Sequence, residues 1–150
     1  MLARIGKALR VIAGGEAAEI TLSFWLLAFS IFIFTSLATL KRYAGLTIRG
    51  QENRAYRSED ALVLAVFGVA MGVGAILILA LYIDSDIIRQ RYATPQWLWL
   101  AIPLLINWLG RMWLLAGRGA VADDPLLFAL RDRASQCSGV LLLLFVYWAS

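Results

Sequence analysis

Long stretches without a single charge constrain this chain more than any other feature. Ile20–Leu40 runs for 21 residues, ITLSFWLLAFSIFIFTSLATL, and Ala61–Ile83 runs for 23 between Asp60 and Asp84. Trp97–Ala116 is a third apolar stretch, opened by Trp97 and Trp99 and interrupted by Arg111. Ala134–Ser150, 17 residues long, is a fourth. A helix that crosses the ~30 Å hydrocarbon layer needs about 20 apolar residues. The runs are apolar on every side, which excludes the alternating pattern of a transmembrane β-barrel strand. A soluble domain would need polar residues to cover its core, but 61% of this chain is hydrophobic, against roughly 45–50% in an ordinary globular domain. The expected fold is all-α: an integral membrane bundle of about four transmembrane helices, forming one domain over residues 1–150.

The ends of the runs carry the charge. Lys41-Arg42-Tyr43 closes the first run as a basic, aromatic anchor. Ahead of it, Ala8–Ile20 (ALRVIAGGEAAEI) is too polar and too short to span alone. It reads either as an interfacial helix or as the end of a spanning one, with Gly14-Gly15 marking a bend or a stop. The basic start, Met1–Arg10, lacks the apolar core and small-residue cleavage site of a signal peptide. Positions 41–60 hold five Lys/Arg and positions 117–133 hold three, against three in residues 1–19 and two in 84–96. Eight against five places loops 41–60 and 117–133 in the cytoplasm, in a multi-pass protein of the inner (cytoplasmic) membrane. The net charge of +4 follows the same logic: basic residues flank apolar runs and form no separate basic domain. The bilayer, and not nucleic acid, is the expected partner.

Composition removes several kinds of chemistry. There is no histidine, so histidine-ligated zinc, His-dependent triads and imidazole proton shuttling are excluded. The single cysteine, Cys137, has no partner in the chain for a disulfide. Chemistry here must use carboxylates, Lys/Arg, Tyr, Ser or Asn.

Four features could carry it, and each has a plainer reading. Gly68 and Gly72, four residues apart in FGVAMGVG, allow close helix packing. The alternative sets an isoprenoid tail against that smooth face. Arg111 lies within an apolar run, where a charge costs several kcal/mol unless it snorkels or finds a partner. It either reaches the interface or faces a polar cavity and holds a phosphate. Lys41 and Arg42 are either positive-inside anchors or ligands of an anionic head group or diphosphate. Asp123 and Asp124 precede Pro125, the pattern of a helix N-terminus, and Leu126–Arg133 follows as a short amphipathic helix. Beside Arg118, Arg131 and Arg133 the paired carboxylates also suit Mg2+ held against phosphates.

Three stretches, RVIAGGEAAEITLSFWLLAFSIFIFTSLATLKRYAGL, NWLGRMWLLAGRG and DDPLLFALRDR, in this order and spacing, resemble the second half of the UbiA prenyltransferase family. The nearest branch is the bacterial decaprenyl-phosphate phosphoribosyltransferase-like one, and the resemblance runs from about Arg10 to Ser150. It implies transfer between a polyprenyl (di)phosphate and an acceptor at a cytoplasmic site containing Mg2+. On that map Lys41, Arg42, Arg111 and Arg118 meet phosphate, Asp123 and Asp124 hold metal, and Gly68 and Gly72 flank the isoprenoid. The sequence departs from the family in three places. The first-half NDxxD-type motif is absent, Asp60 being the first aspartate; Gly45 replaces an acidic residue; and Gly117, Ala120 and Ala122 stand where histidines and a glutamate are usual. The expectation is therefore a half-length transferase completed by a subunit that supplies the missing aspartates. The alternatives are a non-catalytic lipid-binding or scaffolding membrane protein, and a fragment of a longer enzyme.

Overall fold

The computed structural model describes residues 17–49, 57–121 and 124–150. Every regular element among them is helical. Helix α1 is Ala17–Arg49, and a 3-10 turn at Ser58–Asp60 leads into α2, Ala61–Asp84. The short α3, Asp86–Arg91, turns the chain toward a 3-10 segment, Pro95–Leu100, which continues as α4, Ala101–Gly117. After a tight turn come α5, Pro125–Arg131, and α6, Arg133–Ala149.

Among the described residues, three stretches are long and apolar enough to cross a membrane: Phe24–Thr47, Ser58–Asp84 and Pro95–Gly117. The fourth expected span, α6, has 17 residues. At 1.5 Å per residue it is about 26 Å long, short of the ~30 Å hydrocarbon layer. The outer surface agrees with an apolar solvent. On α2 alone, Leu62, Val66 and Leu81 are exposed by 73%, 63% and 61%. A contiguous apolar exterior of this kind marks a surface that meets lipid or protein, not water.

Two boundaries differ from the sequence reading. Helix α1 is one continuous 33-residue helix, so positions 41–49 are its last turns and not a loop. The helix continues there because Ala44 and Leu46 are buried, at 2% and 7% exposure, while Lys41 and Arg42 stay on its outer face. Most of the weak segment at 8–20 lies outside the described residues, and its last four residues open α1.

The packing core is made by glycines. Helices α1 and α2 run antiparallel, with Ser36 facing Gly68 and Phe32 facing Gly74. A buried Ser36 hydroxyl donates 2.6 Å to the Gly68 carbonyl and accepts from Trp113 Nε1 at 3.4 Å, tying α1, α2 and α4 at one level. The space in front of Gly68 is filled by the Trp113 ring, and that in front of Gly72 by Leu109. Both glycines therefore serve helix packing. The isoprenoid expected along this face would find protein there instead.

Two apolar clusters close the ends. At one end Leu40, Met112, Ala116 and Val121 pack with Tyr43, Trp113 and Phe128. At the other, Ile83, Ile88, Leu98 and Ala149 pack together. Here Thr94 donates from its backbone N–H to the Ala149 carbonyl at 3.2 Å and from its hydroxyl to Trp148 at 3.0 Å. Trp97 meets Trp148 edge to face, with centroids 5.3 Å apart. These contacts lay α6 antiparallel to α4.

Replacing Gly72 by leucine should destabilise the bundle by about 1–3 kcal/mol through overpacking against Leu109 and Ser36. Gly110, whose added Cβ would meet nothing within 4 Å, should accept leucine with little cost. Unfolding of both variants in mixed micelles checks the contrast.

Candidate functional site

The end of the bundle that carries the first apolar cluster also gathers the charged residues. It receives the last turns of α1, the start of α2, the end of α4, all of α5 and the start of α6. Four local devices build it.

Helix α4 stops in a Schellman turn. The Gly119 N–H bonds to the Ala116 carbonyl at 3.1 Å, and the Ala120 N–H to the Leu115 carbonyl at 2.9 Å. Gly119 has φ 77°, a conformation that suits glycine, which has no Cβ. The turn leaves Arg118 exposed and points Val121 back into the core.

Asp124 then opens α5. Its carboxylate accepts from the Leu126 N–H at 3.0 Å, with Pro125 at the first helical position, as the Asp-Pro pair predicts. The same carboxylate accepts from Lys41 Nζ at 2.9 Å, across 83 positions of sequence. The Lys41 ammonium and the Leu126 N–H both hold the Asp124 carboxyl below its ordinary pKa. This pair pins the KRY stretch of α1 to the DDP stretch ahead of α5. The last turns of α1 and the described residues of 117–133 thus share one end of the molecule.

Helix α5 ends at Arg131, two residues before the predicted limit at Arg133. Asp132 takes an extended backbone, φ −79° and ψ 120°, and caps α6. Its carboxylate accepts from the Ser135 N–H at 2.9 Å and the Ser135 hydroxyl at 2.8 Å. Ser135 Oγ in turn accepts from Trp108 Nε1 at 3.0 Å.

Arg111 completes this network. Its guanidinium meets both Asp132 oxygens, Nη1 to Oδ2 and Nη2 to Oδ1, the latter at 3.0 Å. The bidentate fork is the strongest geometry for such a pair. Arg111, set against phosphate by the family resemblance, has a carboxylate of its own chain as its partner. Hydrogen bonding by the Arg111 guanidinium, and then by Ser135, lowers the Asp132 carboxyl to about 2.

The expected site residues therefore divide. Lys41 and Asp124 come together, and Arg42 lies beside Lys41 on the exposed face of α1. Arg118 is exposed at the α4 turn of the same end. Asp123 lies outside the described residues. Arg111 is engaged by Asp132, and Gly68 and Gly72 are buried between helices. The sequence reading missed Asp132 and Ser135. The signal was present: an acidic residue three positions before a serine, at the head of an apolar run, is an N-cap pattern.

Among the described residues no group of three or more His, Cys, Asp or Glu is placed to hold a metal ion. An apolar groove of about 510 Å³ opens beside the network, lined by Leu104, Trp108, Leu126, Leu130, Gly139 and Leu142 among others.

The chain is 34% identical over 143 residues to y4nM of Sinorhizobium fredii, an uncharacterized protein, covering 89% of this chain and 27% of that one. It is 31% identical over 133 residues to the nodulation protein NoeC of Azorhizobium caulinodans, covering 84% of this chain and 43% of that one. The chain thus spans about a quarter and under half the length of these two relatives. No protein-family model matches it. No solved structure matches it.

The Asp132 carboxyl lies below its ordinary value in the folded state, so its contribution to stability is complete above about pH 4. That contribution is lost as pH falls toward 2, where the folded-state group protonates. Asp132→Ala should cost about 1–3 kcal/mol at pH 7, because Arg111 and Ser135 lose their acceptor. The difference between wild type and variant should shrink below pH 4, measured by thermal unfolding across pH 2–7.

Proposed function

We propose that this chain is the multi-pass membrane part of a UbiA-like transferase acting on a polyprenyl phosphate or diphosphate. In this reading α6 is a fourth span, and the basic end faces the cytoplasm. One observation carries the proposal: the Lys41–Asp124 pair joins two of the three stretches that bear the family resemblance, at KRY and at Asp124-Pro125, into one basic end. Lys41 supplies a point charge there, and Arg42 and Arg118 supply planar forks that suit phosphate oxygens. The positive-inside pattern puts this same end in the cytoplasm.

The described carboxylates do not make a Mg2+ site on their own. Asp124 is bound by Lys41 and spends a lone pair on the α5 cap, and Asp132 is bound by Arg111. A divalent ion belongs to this reading only with Asp123 and further carboxylates from a partner subunit or from a longer polypeptide. In that arrangement the ion would neutralise phosphate charge. Arg111 and Asp132 would act structurally, holding α6 against α4. The short coverage of both relatives supports a chain that works as one part of a larger assembly, or as a fragment of a longer enzyme.

A second reading, a non-catalytic lipid-binding or scaffolding protein, is favoured by the engagement of Asp124. A carboxylate held by an ammonium 2.9 Å away has less affinity left for a metal.

Binding of a polyprenyl phosphate to the purified protein in detergent, with and without Mg2+, separates the two. The transferase reading expects binding that Mg2+ strengthens and that Asp123→Ala with Asp124→Ala renders Mg2+-insensitive. The triple substitution Lys41→Gln, Arg42→Gln, Arg118→Gln should weaken it by roughly tenfold or more. Binding indifferent to Mg2+ would support the lipid-binding protein. Absence of binding in both conditions would overturn both readings for this chain.

A further inference from the structure

The groove between α4, α5 and α6 has a wall no helix fills. Gly68, Gly72 and Gly74 each face a side chain of another helix, but nothing lies within 4 Å of a Cβ built on Gly139. That open space belongs to the groove of about 510 Å³, within the roughly 300–1,000 Å³ range of small-ligand sites. It is lined by Leu104, Leu105, Trp108, Leu126, Leu130 and Leu142. An aqueous solute gains nothing from such walls, whereas an alkyl chain does.

The polar residues lie toward the charged end. Ser135 and Gln136 line the groove there, one turn from Asp132. Arg131 ends α5 and Arg133 opens α6, and both are exposed. Of the described carboxylates of this region, Asp124 is paired with Lys41 and Asp132 with Arg111. The exposed Arg131 and Arg133 put positive charge at the mouth of the groove. An apolar trough capped by cations complements a lipid with an anionic head group.

We propose that the α4–α5–α6 groove seats one acyl chain of an anionic phospholipid of the surrounding leaflet, with its phosphate at Arg131 and Arg133. The lipid completes the contact between α6, which is short for a span, and α4. The site is separate from Lys41, Arg42 and Arg118. It does not rest on the transferase reading, and its failure would leave polyprenyl phosphate binding at those residues untouched.

Native mass spectrometry of the detergent-purified chain, titrated with phosphatidylglycerol or phosphatidylcholine of identical chains, tests it. The expected result is one tightly held phosphatidylglycerol, preferred over phosphatidylcholine by at least roughly tenfold. Gly139→Phe fills the open space and should abolish that retained lipid. Gly110→Phe, in the separate groove of about 400 Å³ between α2 and α4, should leave it in place. Arg131→Gln with Arg133→Gln, exposed positions that leave the packing intact, should erase the head-group preference while chain binding persists. Equal retention of the two lipids by wild type would overturn the proposal. So would unchanged retention in Gly139→Phe, or equal loss in Gly139→Phe and Gly110→Phe.

Discussion

A guanidinium carried by an apolar helix meets a carboxylate of its own chain, and the path of the C-terminal third follows from where that carboxylate is found. Arg111 sits in the second half of α4, and bidentate pairing with Asp132 fixes the residue that ends α5 and caps α6. The cap then sets the direction of α6 back along α4, where Trp97, Thr94 and Trp148 secure its far end. A lone, partly buried charge within an apolar span would be costly, and the bidentate pair ties α4 to the head of α6 at one register. The pair contributes less to net stability than to geometry.

The rest of the bundle depends on closeness. In an apolar solvent there is little hydrophobic gain in bringing helices together, so contact must come from shape and hydrogen bonds. Gly68 and Gly72 allow Trp113 and Leu109 to reach the α2 backbone, and Ser36 adds a hydroxyl bond to the carbonyl so exposed. These contacts place the last turns of α1 beside the end of α4. That is why Lys41 can reach Asp124, and why two basic segments far apart in sequence form one end of the molecule.

Much of this was legible in the residues. The uncharged runs predict an all-helical chain, and three of the four fall on helices long and apolar enough to cross a membrane; Asp124-Pro125 marks the head of α5. The helix α1 ran past its predicted end because the charged pair Lys41-Arg42 reads as a boundary. In the fold the same two residues occupy the outer face of a helix whose inner face, Leu40, Ala44 and Leu46, continues apolar. Arg111 was recognised as needing a partner, but a one-dimensional reading offers a substrate as readily as a side chain. Asp132 sits 21 positions away among other charges, and only the helix break at that residue turns it toward α4. Likewise, whether a glycine face meets a helix or a lipid depends on what packs opposite, which Trp113 and Leu109 decide.

In the proposed orientation the shared basic end faces the cytoplasm, and residues 84–95 face the opposite side. Single cysteines at Arg118 and at Ala93, each in a Cys137→Ser background, can be labelled in intact cells with a membrane-impermeant maleimide. The cysteine at position 93 should react in intact cells, and the one at position 118 only after the membrane is permeabilised. Labelling of position 118 from outside, or of both positions alike, would contradict it.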